Sequence, residues 1–249
     1  MISVVFHLLG DLATLADLGS QTERSRNLPE PASVKDALEG LGIPHTEVDL
    51  LLIRDHPVPF SYRVRDGDHI VVHPVPPSGA ADLAWPDNRL QPRPLAFERF
   101  ACDQHLGKLA RLLRILGFDT AYDRHWREVD IACLSDLESR AVLTCNRALL
   151  KRKVIARGRL VRARQPDAQV AEVMCRFGLA STAQMFGRCC VCNGELAEVP
   201  KAAVLSRIPP GTRQWRNEYF LCQQCDRLYW EGTHVAALRH RLSAIRESC

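Results

Sequence analysis

Asp103 closes the apolar run Phe100-Ala101-Cys102, and Asn146 follows Ala141-Val142-Leu143-Thr144-Cys145; a segment rich in Lys and Arg comes after each. Acidic side chains gathered at such positions hold Mg²⁺ or Mn²⁺, which makes a bound water nucleophilic near neutral pH and neutralises a leaving phosphate oxygen. On this reading Asp103 is the leading catalytic ligand and Glu128 the second, with Asp130 or Asp123 in support. Asn146 would offer an amide oxygen, which can bind such an ion but brings it no charge. A second constellation is Cys189-x-x-Cys192 followed by Cys222-x-x-Cys225. Each pair brings two sulfurs of one turn to a tetrahedral ion, so the four are expected to hold a closed, structural Zn²⁺, with Cys190 outside the set.

Charge indicates what the first constellation would act on. Arg147, Lys151, Arg152, Lys153, Arg157, Arg159, Arg162 and Arg164 follow one another without an intervening acid. Such a run can neutralise a polyanion backbone. Over the chain, residues 1–79 hold 6 basic and 11 acidic side chains, while the rest hold 27 and 18, a net of −5 against +9. The acidic first part is therefore expected to fold back on the basic part and compete with a nucleic acid there.

The elements that would position these residues can be read from periodicity. Ile2 to Leu9 is an apolar strand, and Ser33 caps a short helix with Val34, Ala37, Leu38 and Leu41 on one face, ended by Gly42 and Pro44. Glu47 to Ile53 and His69 to His73 read as strands, and Val58, Phe60, Tyr62 and Val64 alternate at the strand period. That is an α+β order for residues 1–79. Residues 80–96 are Pro-rich and read as a semi-rigid linker, with Trp85 packed on a neighbouring surface. From 97 to 184, strands at 97–103, 119–122, 141–144 and 159–163 alternate with helices at 106–116, 128–138 and 167–177, which is the order of a parallel sheet with flanking helices. Ligands of such sheets bind beyond the carboxyl ends of the strands, where Asp103 and Asn146 would lie. On the first of these helices Lys108, Arg111 and Arg114 fall opposite the apolar stripe. Residues 185–249 are left for a zinc ribbon and a C-terminal helix, with Tyr229 and Trp230 packing against the host domain and His234 outside the filled zinc shell. Cys102, Cys133, Cys145 and Cys175 are read as small buried apolar residues.

Two resemblances cover almost the whole chain. Val34-Lys35-Asp36, Gly42-Ile43-Pro44-His45-Thr46-Glu47-Val48 and Gly67-Asp68-His69-Ile70-Val71-Val72-His73-Pro74 resemble the ubiquitin-like β-grasp domain related to bacterial sulfur carriers. Those carriers end in a free Gly-Gly, but this segment runs on into Val75-Pro76-Pro77, so a docking or regulatory module with a possible protein partner is expected in place of sulfur transfer. The run Phe100-x-x-Asp103-x-x-Leu106-Gly107-Lys108-Leu109-Ala110-Arg111, together with Arg140-Ala141-Val142-Leu143-Thr144-x-x-Arg147, resembles the Mut-seven C-terminal RNase family, whose fold is that of the PIN-like nucleases. The resemblance implies a metal-dependent endoribonuclease with Asp103 and Glu128 at acidic positions of the family. It makes the polyanion RNA, contacted by Lys108, Arg111, Arg147, Lys151, Arg152 and Lys153. Where the family usually reads Thr-Arg-Asp, this chain has Thr144-Cys145-Asn146. That exchange removes one charge from the metal site and keeps open a second reading, an RNA-binding or ribonucleoprotein-docking protein that does not cut.

No apolar run approaches the roughly 20 residues that span a bilayer. Ile2 to Leu9 lacks the basic start and small-residue cleavage site of a signal peptide, so the chain is expected in the cytoplasm, where its ten cysteines would serve metal binding and burial instead of disulfides.

Overall fold

A computed structural model describes residues 1–19, 21–76, 89–92 and 98–232. Most of the Pro-rich linker with Trp85, the C-terminal helix and His234 lie outside the described residues.

The first sheet contains β1 (Ile2–Leu8), β2 (Glu23–Leu28), β3 (Val48–Ile53), β4 (His56–Pro57) and β5 (Asp68–Pro74) in the order β2-β1-β5-β3-β4. β1 and β5 run parallel at its centre and the other pairs are antiparallel. The short α1 (Leu12–Leu15) follows β1, and α2 (Val34–Gly40) packs Val34, Ala37 and Leu38 into the core after the Ser33 cap, whose hydroxyl oxygen accepts from Asp36 N–H at 3.1 Å. This is a ubiquitin-like β-grasp. Two features depart from the sequence expectation. β2 is an added strand: its Glu-Arg-Ser-Arg-Asn face is solvent-exposed, so it pairs at the sheet edge without apolar alternation. Residues 58–64 alternate but form no strand beyond β4. Pro57 and Pro59 lack the N–H a ladder needs, and the backbone there is spent elsewhere: Tyr62 O accepts from Val34 N–H at the start of α2, and Val64 N–H donates to Ala32 O.

The second sheet is wholly parallel: β6 (Phe100–Cys102), β7 (Thr120–Ala121), β8 (Ala141–Thr144) and β9 (Gly158–Leu160), ordered β7-β6-β8-β9. α3 (Gly107–Ile115) and α6 (Pro166–Phe177) pack on one face through Leu109, Leu113, Val170, Val173 and Met174. α4 (Glu128–Glu138) and the one-turn α5 (Arg147–Leu150) lie on the other. A third, antiparallel sheet of β10 (Leu196–Val199), β11 (Tyr219–Cys222) and β12 (Leu228–Tyr229) forms the ribbon; the short helices α7 (Lys201–Val204) and α8 (Pro210–Arg213) fill the span between its first two strands.

The β-grasp and the parallel sheet share one continuous core, in which Leu149, Leu150, Ile155 and Leu160 join Val34, Leu38, Ile43 and Leu51. Polar contacts cross the same junction. Glu47 is 2% exposed; its Oε2 accepts from Arg159 Nη1 at 2.6 Å and its Oε1 from Leu160 N–H at 2.7 Å. Arg159 also bonds Glu172 at 2.9 Å and Asp11 at 3.3 Å, and Arg162 pairs with Asp11. Burial works against the guanidinium of Arg159, but Glu47, Glu172 and Asp11 together hold its pKa above the ordinary value. Lys151 Nζ donates to Glu39 O, His45 bridges Glu39 and Ile155 O, and Arg147 lies 3.6 Å from Asp17. The acidic module thus lies on the basic one, as the charge asymmetry suggests.

Removing one member of a buried ion pair leaves the other uncompensated, at a cost of about 3–5 kcal/mol. Glu47→Ala should therefore destabilise both modules together, as one lowered transition in urea or thermal unfolding, by less than that because Arg159 keeps Glu172 and Asp11, while Glu47→Gln, which keeps an acceptor for Leu160 N–H, should lose less. Independent unfolding of the two modules in the wild-type chain would contradict a shared core.

Candidate functional site

β6 delivers Asp103 at its carboxyl end, where the residue is 5% exposed. Its Oδ1 accepts from His105 N–H at 2.8 Å, capping the 3₁₀ turn Gln104–Leu106, and its Oδ2 accepts from Thr144 Oγ1 and from Cys145 N–H at 2.9 Å. Three of a carboxylate's four or so acceptor positions are then used and one remains. The neighbouring strand β8 delivers Asn146 beside it, with Asn146 N–H donating to Thr144 Oγ1 at 2.8 Å. Asn146 caps α5: its Oδ1 accepts from Ala148 N–H at 2.9 Å, which fixes the orientation of the amide. The amide nitrogen consequently faces Glu128, donating to Oε1 at 2.5 Å, while Oε2 takes Arg152 at 3.2 Å.

Asp103, Glu128, Thr144 and Asn146 line one cavity of about 380 Å³ at the carboxyl ends of the parallel strands. Its remaining walls include His105 and the loop residues Arg124, His125, Trp126 and Arg127. Two acidic residues thus face a rim of arginine and histidine, an arrangement suited to binding a phosphate next to a cation. The loop 124–127 did not emerge from periodicity because it has none; a cationic and aromatic cluster between a strand end and Glu128 was the available signal. Asp130 does not line this cavity. It accepts from Arg127 N–H at 2.8 Å and pairs with the Arg127 guanidinium, completing the cap of α4. Asp123 likewise caps its own turn, accepting from His125 N–H at 2.8 Å.

The proposed RNA contacts separate in space. Lys108 and Arg111 are exposed on α3. Arg147 and Lys151 face the β-grasp, Arg152 faces Glu128, and Lys153 lines a cavity at the junction with Phe60 and His45. Arg114 is no surface cation: it is 4% exposed, and its guanidinium donates to Thr120 O at 2.8 Å and Val191 O at 2.8 Å, fastening the ribbon to the parallel sheet. Cys133 and Cys145 are exposed, whereas Cys102 is buried; Cys175, read as a small buried thiol, is half-buried and disulfide-bonded, which corrects the expectation of no disulfides. Burial and the charge of Asp103 push the Cys145 thiol up, which disfavours a thiolate nucleophile.

In the ribbon, the sulfurs of Cys189, Cys192, Cys222 and Cys225 all lie within 4.8 Å of one another. Cys189 and Cys225 are 3.6 Å apart and Cys192 and Cys222 3.4 Å, close to the roughly 3.8 Å expected between tetrahedral ligands at a metal–sulfur distance near 2.3 Å. Burial opposes ionisation of Cys189, but hydrogen bonds from Cys192 N–H and Tyr229 O–H to its sulfur bring the thiol down to about 6, whereas burial pushes the Cys192 and Cys225 thiols up. The donor set fits a structural metal ion. Among the described residues no other group of three or more His, Cys, Asp or Glu converges in this way. Trp230 packs on the small ribbon core of Val204, Ile208 and Tyr219.

The architecture is that of a ubiquitin-like domain built onto a nuclease-type α/β domain that carries a four-cysteine ribbon. Residues 98–242 match the Mut7-C RNAse domain and residues 1–78 the Mut7-C ubiquitin domain. The chain belongs to the Mut7-C RNAse domain family. Among solved structures, a putative molybdopterin converting factor, subunit 1 from Pyrococcus furiosus is 22% identical over 30% of this chain and 98% of its own, with a TM-score of 0.25. The small archaeal modifier protein 1 of H. volcanii is 17% identical over 29% and 95%, also with a TM-score of 0.25. No curated protein matches the chain. Among the described residues no helix is long and apolar enough to cross a membrane.

With so few apolar residues in its core, the ribbon is expected to need a bound ion to hold its fold. Elemental analysis should find one metal ion per chain bound there, and Cys222→Ser should lose it, with proteolysis confined first to residues 185–232. Retention of the metal by that variant would show that these thiols do not hold it.

Proposed function

We propose that this protein is a metal-dependent endoribonuclease that hydrolyses RNA phosphodiesters in the cavity between Asp103 and Glu128. The observation that carries this reading is the placement of those two carboxylates, from different elements, in one cavity at the carboxyl ends of a parallel sheet whose domain matches an RNAse family. Mg²⁺ or Mn²⁺ fits the donor set, since these ions keep several waters and take one or two protein carboxylates. Asp103 and Glu128 would hold the ion, which supplies an activated water and charge stabilisation at the phosphate. Arg124 and Arg127 on the rim orient the phosphate, and Thr144 with the Cys145 amide fixes the Asp103 carboxylate. Zn²⁺ is the ion that four tetrahedral thiolates select in the ribbon.

A second reading, RNA binding without cleavage, is favoured by one observation: both oxygens of Glu128 are already satisfied, by Asn146 and Arg152. An Asp at 146 would replace a donor with a second carboxylate and raise the site's attraction for a cation. Asn146→Asp should therefore increase Mn²⁺-dependent cleavage of a labelled RNA, on the order of the tenfold or more by which such neighbours tune metal sites. Asp103→Ala should abolish cleavage while sparing RNA affinity. If Asp103→Ala cuts as well as wild type, the nuclease site is elsewhere. If neither wild type nor Asn146→Asp cuts RNA that both bind, the second reading holds.

A further inference from the structure

The basic residues of the nuclease domain divide once their partners are traced. Arg147, Arg152, Arg157, Arg159 and Arg162 are each paired with an acid, and Lys151 with a carbonyl. Lys108, Arg111 and Arg164 are exposed and form no ion pair among the described residues. These three line a single groove of about 620 Å³, together with His105, Tyr122 and Arg124, and no acidic residue lines it. His105 and Arg124 also line the cavity of Asp103 and Glu128, so the groove and the cavity adjoin at those two side chains.

Two helix starts border the groove. α3 begins at the groove with Gly107 and Lys108, and α6 begins there with Pro166 after Gln165. Asp167 already lies in the first turn of α6, and α3 continues the 3₁₀ turn that Asp103 caps, so the positive charge of the groove rests on its side chains. Tyr122 forms a fixed wall. Its hydroxyl donates to Gln104 O at 3.2 Å, and its ring lies across Gly107, where an added Cβ would come within 2.6 Å of the phenol oxygen.

We propose that this groove is a second anion subsite, which holds the phosphates of unpaired RNA flanking the nucleotide in the Asp103 cavity. The inference rests on reading that cavity as an RNA site. Unpaired cations with no internal acid to satisfy them attract a polyanion most strongly, and the contact surface is concave. A flexible single strand can enter such a groove and turn past His105 into the cavity, with a base against Tyr122. A stiff A-form duplex, read across its shallow groove by shape, cannot follow that turn.

Binding in a cleavage-dead background tests this. Full-length Asp103→Ala protein, or Asp103→Asn if the first variant melts early, is titrated into fluorescent 4-mer and 12-mer unpaired RNAs and a 12-base-pair RNA duplex. The 12-mer should bind more tightly than the 4-mer or the duplex. Adding Lys108→Glu and Arg111→Glu should weaken 12-mer binding about tenfold or more and flatten the log–log salt slope by about 1.4, at roughly 0.7 per lost single-strand phosphate contact. The 4-mer should change little, and Arg24→Glu on the exposed edge strand β2 should match its parent. Both reversed residues are exposed, so an unchanged melting temperature is expected and checks the fold. Affinity within twofold and an unchanged slope in the double variant, or duplex binding as tight as the 12-mer, would overturn the subsite. Because the readout is affinity, absence of cleavage by wild type would overturn the nuclease reading alone, and loss-free charge reversal the groove alone.

Discussion

The buried contact of Arg159 with Glu47 is the constraint on which much of the arrangement depends. A guanidinium on the last strand of the parallel sheet stays charged at 8% exposure, so its burial is costly without acids around it, and two of its three come from the β-grasp. The junction is therefore a condition for burying β9, and the β-grasp completes the edge of the parallel sheet. Leu160 N–H, which also donates to Glu47, shows the same dependence in the backbone. The ubiquitin-like module acts here first as a partner of its own chain.

That junction also sorts the positive charge. A long arginine run suggests a broad polyanion surface, but a charged side chain seeks the nearest acid before it meets a ligand. The β-grasp supplies Asp11, Asp17 and Glu47, and so occupies the run from one side. What remains for an external anion is set by pairing, a property of three-dimensional neighbours that charge counting along the chain cannot see.

Much of the framework was nonetheless legible. α4 and β8 lie at 128–138 and 141–144, where capping, periodicity and β-branched content agree with one another. Asp103 and Asn146 could be placed because strand-helix alternation dictates where the carboxyl ends of strands must gather. β2 was hidden because an edge strand with an exposed polar face has no apolar period to detect. Arg114 was misleading for a related reason: helical periodicity assigns a face, but only the arrival of the ribbon, seventy-odd residues later, turns that face inward. The shared role of Asn146 as helix cap and donor to Glu128 depends on an 18-residue separation that no local pattern reports.

The fastening of Arg114 to the knuckle has a longer reach than anchoring. One guanidinium serves helix α3 and the carbonyls of Cys190 and Val191, which lie between two cysteines of the ribbon. If the ion leaves and the knuckle loosens, those acceptors go with it, and an interior cation is stranded in the body of the helix. Unsatisfied buried donors cost about 1–3 kcal/mol each, more when charged, and α3 is only nine residues long. Its first turn lines the groove beside the Asp103 cavity, with Lys108 and His105 both in the wall. An ion held by the ribbon would thereby bear, through a single side chain, on the order of α3.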